Sequence, residues 1–391
     1  MTTRGTGRSA LAALTRGRVL PNLYDLSAFA LLAALAVLAL HGAAAMRAPL
    51  SGLATEPVVL DPMLLPDYAL RTTMRMFAAI IASLVFTFTI ATLAAKSRRA
   101  EMVIIPALDI LQSVPVLGFL TFTVTFFMGL FPGSQLGAEC ASIFAIFTSQ
   151  AWNMAFSFYQ SLRTVPGDLD EVSRSFCLSS WQRFWRLEAP FAMPGLIWNT
   201  MMSMSGGWFF VVASEAITVG DTTVQLPGLG SWLALAIKEQ NFTAVAWAVL
   251  AMAIMIGFYD QLLFRPIVAW ADKFRFEQTA GQQKPRSWVH GLARRTRLLK
   301  RLTAPLVWLG GRLLLVRFRS TQPARREVRA GTNKMLDRAW LALILAIGAW
   351  AMWTAIAYLG QSLSWSDAWD PLARGLDRKS TRLNSSHESP S

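Results

Sequence analysis

The feature that most constrains this chain is a series of apolar runs, each about twenty residues long and so able to cross the ~30 Å hydrocarbon layer as a helix. They are Leu26–Met46, Met76–Ala95, Ser113–Phe131, Cys140–Tyr159, Gly195–Ala213, Thr243–Leu263 and Trp340–Leu359. One soluble core could not absorb them. Only 15% of the 391 residues are charged while 54% are hydrophobic, against about 25% charged in ordinary soluble domains. Soluble enzyme, disordered protein and disulfide scaffold are thereby excluded. The fold class expected is all-α, a polytopic membrane protein.

Lys and Arg give a net charge of +14, which in a soluble protein would suggest nucleic acid. In a membrane protein the same excess collects in cytoplasmic loops, and only that reading demands alternation. Alternation is what the sequence has. Arg4, Arg8, Arg16 and Arg18 precede the first run, and Lys96, Arg98 and Arg99 follow the second. The stretch 132–139 after the third has no Lys or Arg, whereas Arg163, Arg174, Arg183 and Arg186 lie between the fourth and fifth. Asp221, Lys238 and Glu239 then give little basic excess, and Arg265, Lys273 and Arg275 close the sixth. This predicts a multi-pass protein with a cytoplasmic N-terminus and no nucleic-acid partner. Ala43-Ala44-Ala45 resembles a signal-peptide cleavage site, but the run before it exceeds the usual 7–15-residue apolar region. A retained helix is expected.

Within the stretch Met102–Phe131, a charge at mid-bilayer would cost about 2.5–3.5 kcal/mol, so Asp109 should not lie there. Met102–Gln112 therefore reads as a helix at the cytoplasmic face, followed by the span. With Cys140 and Cys177 far apart and three His in all (His41, His290, His387), no catalytic or metal cluster is expected. The chain does not read as an enzyme.

The loop between the fourth and fifth runs is the most informative segment. Pro166-Gly167 breaks the preceding helix. Asp168 and Glu171 have capping-box spacing and predict a helix from Leu169 to about Phe176. Ser179 and Gln182 repeat that spacing and start a second short helix, which Pro190 should stop. On it Trp181, Phe184 and Trp185 share one face. They would either rest against lipid headgroups or anchor a cytosolic partner.

Here the sequence becomes recognisable. Glu171-Val172-Ser173-x3-Cys177-x9-Leu187-x-Ala189-Pro190 resembles the EAA signature (Glu-Ala-Ala-x3-Gly-x9-Ile-x-Leu-Pro) of permease subunits in bacterial binding-protein-dependent ABC importers. Asp109–Pro115, Leu226–Gly230 and Asp260–Pro266 look like the nitrate/sulfonate/taurine-type branch, so the resemblance covers roughly Asp25 to Lys273. It implies a six-helix permease unit whose loop docks on a separate ATPase subunit. The coupling residues it implies are Asp168, Glu171, Arg174, Cys177, Trp181, Phe184, Trp185 and Pro190. It further implies a periplasmic substrate-binding protein, alternating access across the bacterial inner membrane, and a small anion such as nitrate, sulfonate or bicarbonate as cargo. The chain has no phosphate-binding loop, so no cofactor is expected on it and ATP with Mg belongs to the partner. The rival readings are a permease for a different solute, and a membrane scaffold or sensor that binds a cytoplasmic partner through the 160–190 loop. Two departures stand out: Val172-Ser173 replaces Ala-Ala, and Cys177 replaces the glycine. If that glycine caps a helix in the left-handed region, Cys177 strains the turn by about 1–2 kcal/mol, unless the turn moves toward Ser179.

Candidates for the translocation path are Gln112 and Ser113, beside the helix break at Pro115, and Glu215 as an intramembrane acid. The position of Glu215 near the outer surface favours the other reading, a carboxylate snorkelling to the surface. The domain division expected is a permease unit over 1–275, a basic cytoplasmic linker over 276–338, the start of a second unit over 339–376 and a non-native tail over 377–391. In the linker, Leu302–Val316 is either an amphipathic helix on anionic membrane lipid or solvated. The order of basic segment, span, acidic Pro-containing loop and Arg recurs at Trp340–Arg374, as in duplicated anion permeases. A second permease unit would thus be fused in a longer chain or supplied by a homodimer. Arg378–His387 resembles translated sequencing-adapter sequence.

Overall fold

In the computed structural model the described residues are 23–45, 58–114, 116–132, 134–219, 222–274, 287–296 and 298–315, with shorter helical stretches between 335 and 357. The chain divides into two units, Met1–Thr321 and Gln322–Ser391. The first is helical, as the apolar runs require: α1 Leu23–Ala45, α2 Leu65–Phe86, α3 Thr92–Lys96, α4 Arg98–Ser113, α5 Val116–Leu130, α6 Gln135–Arg163, α7 Gly167–Ser175, α8 Ser180–Arg183, α9 Ala189–Glu215, α10 Leu229–Lys238, α11 Phe242–Tyr259, α12 Arg265–Ala271, α13 Trp288–Arg295 and α14 Leu298–Leu315. One short antiparallel hairpin, β1 Ala216–Val219 on β2 Thr222–Gln225, pairs Ala216 with Gln225 at its base. In the second unit the described residues of 338–354 form a short apolar helix. The N-terminal arginines, Pro115, Asp221, Asp367–Arg374 and the 377–391 tail lie outside the described residues.

Among the described residues, three helical stretches, Tyr24–His41, Pro62–Lys96 and Phe242–Phe274, are long and apolar enough to cross a membrane. Helices α6 and α9, of 29 and 27 residues, have the length but not that uniform apolarity. They pack chiefly on each other, with α2 and α5 around α6. Their interior positions hold Glu139, Ser142, Thr148, Gln150, Ser203, Ser214 and Glu215. Helices at the bundle centre face protein instead of lipid and can carry polar groups there. Small residues let the helices approach: Ala91, Ala151, Ala155, Ala189 and Ala192 are all buried.

Two expected boundaries are corrected, both because polar or helix-breaking residues are absorbed by the structure. The second span starts at the Pro62 turn, well before Met76. Asp67 pairs with Arg71 at 3.0 Å along the helix, and Arg75 turns inward, so their charge does not end it. Pro190 does not stop the second loop helix. A π turn, Phe184–Glu188, joins α8 to α9 without a break. Pro190 lacks the N–H that an α-helix would aim at the carbonyl four residues back, and the wider turn just before it accommodates the loss. A similar π turn, Asp260–Phe264, precedes Pro266, and a third, Thr87–Ala91, joins α2 to α3.

The main core gathers α2, α9, α10 and α11 around Met76, Met204, Val211 and Trp232. The Trp232 indole donates to the Ala244 carbonyl at 3.0 Å, which fastens α10 to α11. A second core lies beside the loop and is built from Leu108, Met154, Phe158, Phe184 and Leu196.

Candidate functional site

Helix α7 begins at Pro166, whose ψ of 139° is incompatible with helix and whose side chain makes no cap. The capping box expected of Asp168 and Glu171 is therefore not formed. Both carboxylates sit within the helix, exposed, and neither pairs with a described residue. Asp168 and Asp170 stand in the first turn, where negative charge suits the helix dipole. The second box is formed as its spacing predicts: Ser179 Oγ accepts from Gln182 N at 3.3 Å, and Gln182 Oε1 accepts from Ser179 N at 3.1 Å.

Between the two helices the chain turns at Cys177, which has φ 50°. Leu178 N donates to Ser173 O at 3.2 Å and Cys177 N donates to Arg174 O at 2.8 Å. That pair of bonds is the Schellman helix stop, in which the left-handed residue is usually glycine. The turn has not moved toward Ser179. Cys177 adopts the strained conformation at the position where the EAA pattern has glycine.

The aromatic face of α8 points inward. Phe184 is buried in the second core. Trp185 stacks edgewise on Phe184 with centroids 5.1 Å apart and faces Phe88 at 6.2 Å. These two rings anchor the loop to the bundle, a correction to their reading as partner contacts. Trp181, 37% exposed, stays at the edge. The outward apolar groups are Val172 and Phe176, 51% and 72% exposed, flanked by Asp168, Glu171 and Arg174. Pro190 is half-buried in the first turn of α9.

A chain of ion pairs that sequence reading missed braces the loop. Asp170 meets Arg174 at 2.7 Å and Arg183 at 2.7 Å. Arg183 reaches Glu188 at 2.9 Å, and Glu188 reaches Lys96 at 2.5 Å. Helix α7, helix α8, the π turn and the end of α3 are thus linked in sequence. Nearby, Tyr159 donates to Glu101. The available signal was the density of opposite charges in so short a loop. In sequence, Lys96 and Arg183 read only as orientation signals, and Arg174 as one of these and a coupling residue.

At the other end of α9 the candidate path residue Glu215 is fully buried and does not snorkel. Arg75 Nη1 donates to its Oε1 at 2.7 Å, and the same guanidinium grips Glu139 through Nε at 2.5 Å and Nη2 at 2.6 Å. Thr72 donates to Glu215 Oε1 at 2.7 Å and Gly230 N to its Oε2 at 2.6 Å. Glu215 is thereby separated from the other candidates. Gln112 and Ser113 are exposed at the end of α4, where Val114 is extended with ψ 126°. Gln112 lines a cavity of about 260 Å³ with Thr148, Ser149, Trp152, Asn153 and Phe210. Its polar lining is neutral.

Residues 87–260, the segment that holds both the loop and Glu215, match the family described as binding-protein-dependent transport system inner membrane component. Over this segment the chain is similar to that family. It is 25% identical over 134 residues to the bicarbonate transport system permease protein CmpB of Synechococcus elongatus, covering 34% of this chain and 45% of the relative. It is 25% identical over 115 residues to the nitrate import permease protein NrtB of Leptolyngbya laminosa, covering 29% and 38%. It is 28% identical over 152 residues to the glycine betaine/proline betaine transport system permease protein ProW of Escherichia coli, covering 39% and 41%. The chain thus spans less than half the length of these relatives, and each is named a transport component.

Proposed function

We propose that this chain is the membrane-spanning subunit of an ATP-driven importer, with the α7–α8 loop as its contact to a separate ATPase. The observation that carries the reading is the loop itself. An exposed acidic and apolar face on α7 stands on a base made rigid by the Schellman turn, the capping box and the buried Phe184. A rigid element passes on a displacement that a soft loop would dissipate. ATP with Mg is held by the partner, and a substrate-binding protein delivers the solute to the opposite side. The N-terminus lies in the cytoplasm, as the alternation of basic loops supports. The pairing of two permease units is completed by a fused second unit or a second copy.

The cargo is a small anion, the reading supported by likeness to permeases named for bicarbonate and nitrate. A zwitterion such as a betaine is the second reading. The ProW match favours it, as does the neutral lining of the cavity at Gln112, which offers amides, hydroxyls and two aromatic rings but no cation.

The test is co-purification followed by uptake. The full chain retains an ATPase, and Glu171→Lys, which reverses an exposed charge without touching the core, abolishes that association. Retained ATPase binding and uptake in Glu171→Lys would show that the loop is not the coupling surface. Uptake of labelled nitrate, bicarbonate and glycine betaine then separates the two cargo readings.

A further inference from the structure

Helix α8, its π turn and α9 form one uninterrupted helical run from Ser180 to Glu215, about 50 Å long at helical rise. One end is the second loop helix, braced through Arg183 and Glu188. The other end is Glu215, which is fully buried and bonded through both side chain and backbone. Its carboxylate accepts from Arg75, Thr72 and Gly230. Its backbone carbonyl accepts from Leu226 N at 2.8 Å and Ser231 Oγ at 2.6 Å. Thr72 Oγ1 in turn accepts from Leu229 N at 3.0 Å. Both oxygens of this carboxylate are engaged and the side chain is fully buried, which argues against Glu215 as a solute contact. What the cluster does instead is tie the far end of α9 to α2 through Arg75 and to α6 through Glu139. It also ties α9 to the hairpin exit and α10 through Leu226–Ser231.

We infer that Arg75, Glu139 and Glu215 are positioning residues of the transport cycle, the joint that makes α2, α6, α10 and the hairpin follow α9 when the loop is displaced. The inference rests on the coupling role proposed for the loop. A buried ion pair is by itself weak evidence for stability, since apolar residues of equal volume often do as well. Its distinctive property is geometric. Bidentate contacts fix orientation, and this guanidinium holds two carboxylates from two helices in one geometry.

Two measurements on the full chain in lipid vesicles test it. In the first, Met63→Cys and Lys238→Cys in a Cys140→Ala, Cys177→Gly background carry spin labels beside α2 and at the end of α10. The joint predicts a narrow distance distribution that broadens at least twofold in Glu215→Gln or Glu139→Gln, whichever folds. A labelled pair at Arg98 and Arg186, both exposed by the loop, stays as it was. An unchanged Met63–Lys238 distribution overturns the joint, whatever the loop binds. In the second, the ATPase that co-purifies with the chain is present, and labelled nitrate or glycine betaine serves as probe. Uptake per ATP hydrolysed falls at least tenfold in Glu215→Gln, and Glu215→Asp restores part of it. A purely structural role would lower uptake and hydrolysis together, in proportion to the folded complex, and that result also overturns the proposal. If the unaltered chain retains no ATPase, the loop reading fails, and the spin-label distances alone decide the joint.

Discussion

The two ends of the long α8–α9 run both carry ion pairs, yet they are built to opposite specifications. At the loop end Asp170, Arg174, Arg183, Glu188 and Lys96 form a chain in which Glu188 is buried but Arg174 is 69% and Lys96 41% exposed. Its exposed pair, Asp170–Arg174, contributes at most about 1 kcal/mol and weakens with salt. At the far end Arg75, Glu139 and Glu215 have essentially no exposure. The contrast teaches where this molecule tolerates rearrangement. A chain of pairs with its outer members in solvent can trade partners when something docks. A dry cluster holds one geometry, because breaking it strands a charge.

The comparison can be broken in four ways, from the largest expected effect to the smallest. Arg75→Met strands two buried carboxylates and should lower stability by about 3–5 kcal/mol, seen as a large drop in melting temperature in detergent. A loss comparable to that of a surface pair would mean that the far end is not dry. Gly230→Ala should lower it by about 1–3 kcal/mol, as overpacking does, because a Cβ there would lie 2.6 Å from Val212 Cα and 2.7 Å from its carbonyl oxygen. Cys177→Gly should raise stability by about 1 kcal/mol, the left-handed strain relieved less the extra backbone entropy of glycine. A neutral or harmful result would dispute the Schellman turn. Asp170→Asn should change stability by less than about 1 kcal/mol and lose even that in high salt. A salt-insensitive loss of several times this would make the loop end resemble the far end.

The helices were legible because lipid-facing surface must be apolar, and that demand is written locally in each run. The loop was legible for a similar reason, since Ser179, Gln182 and Cys177 act on neighbours within a few residues. The far cluster was not. Arg75 is compensated from 64 and 140 positions away, and no local pattern records such a partner. Its only trace was charge placed within or beside apolar runs: Arg75 just ahead of the run that starts at Met76, and Glu215, which read as a surface group. Pro190 misled in the opposite way. Its local rule is sound, but the π turn before it removes the conflict that would have ended the helix.

That π turn also sets an angle. Each helical residue advances about 100° around the axis, and a π turn holds roughly one residue more than an α turn. Phe184–Glu188 therefore fixes the phase between the face that seats Phe184 and the face that ends in Glu215. Removing one residue from that turn would leave both helices intact and the composition almost unchanged. It would nonetheless rotate Glu215 by more than a quarter turn relative to Arg75, so the length of this five-residue segment works as the molecule's alignment mark.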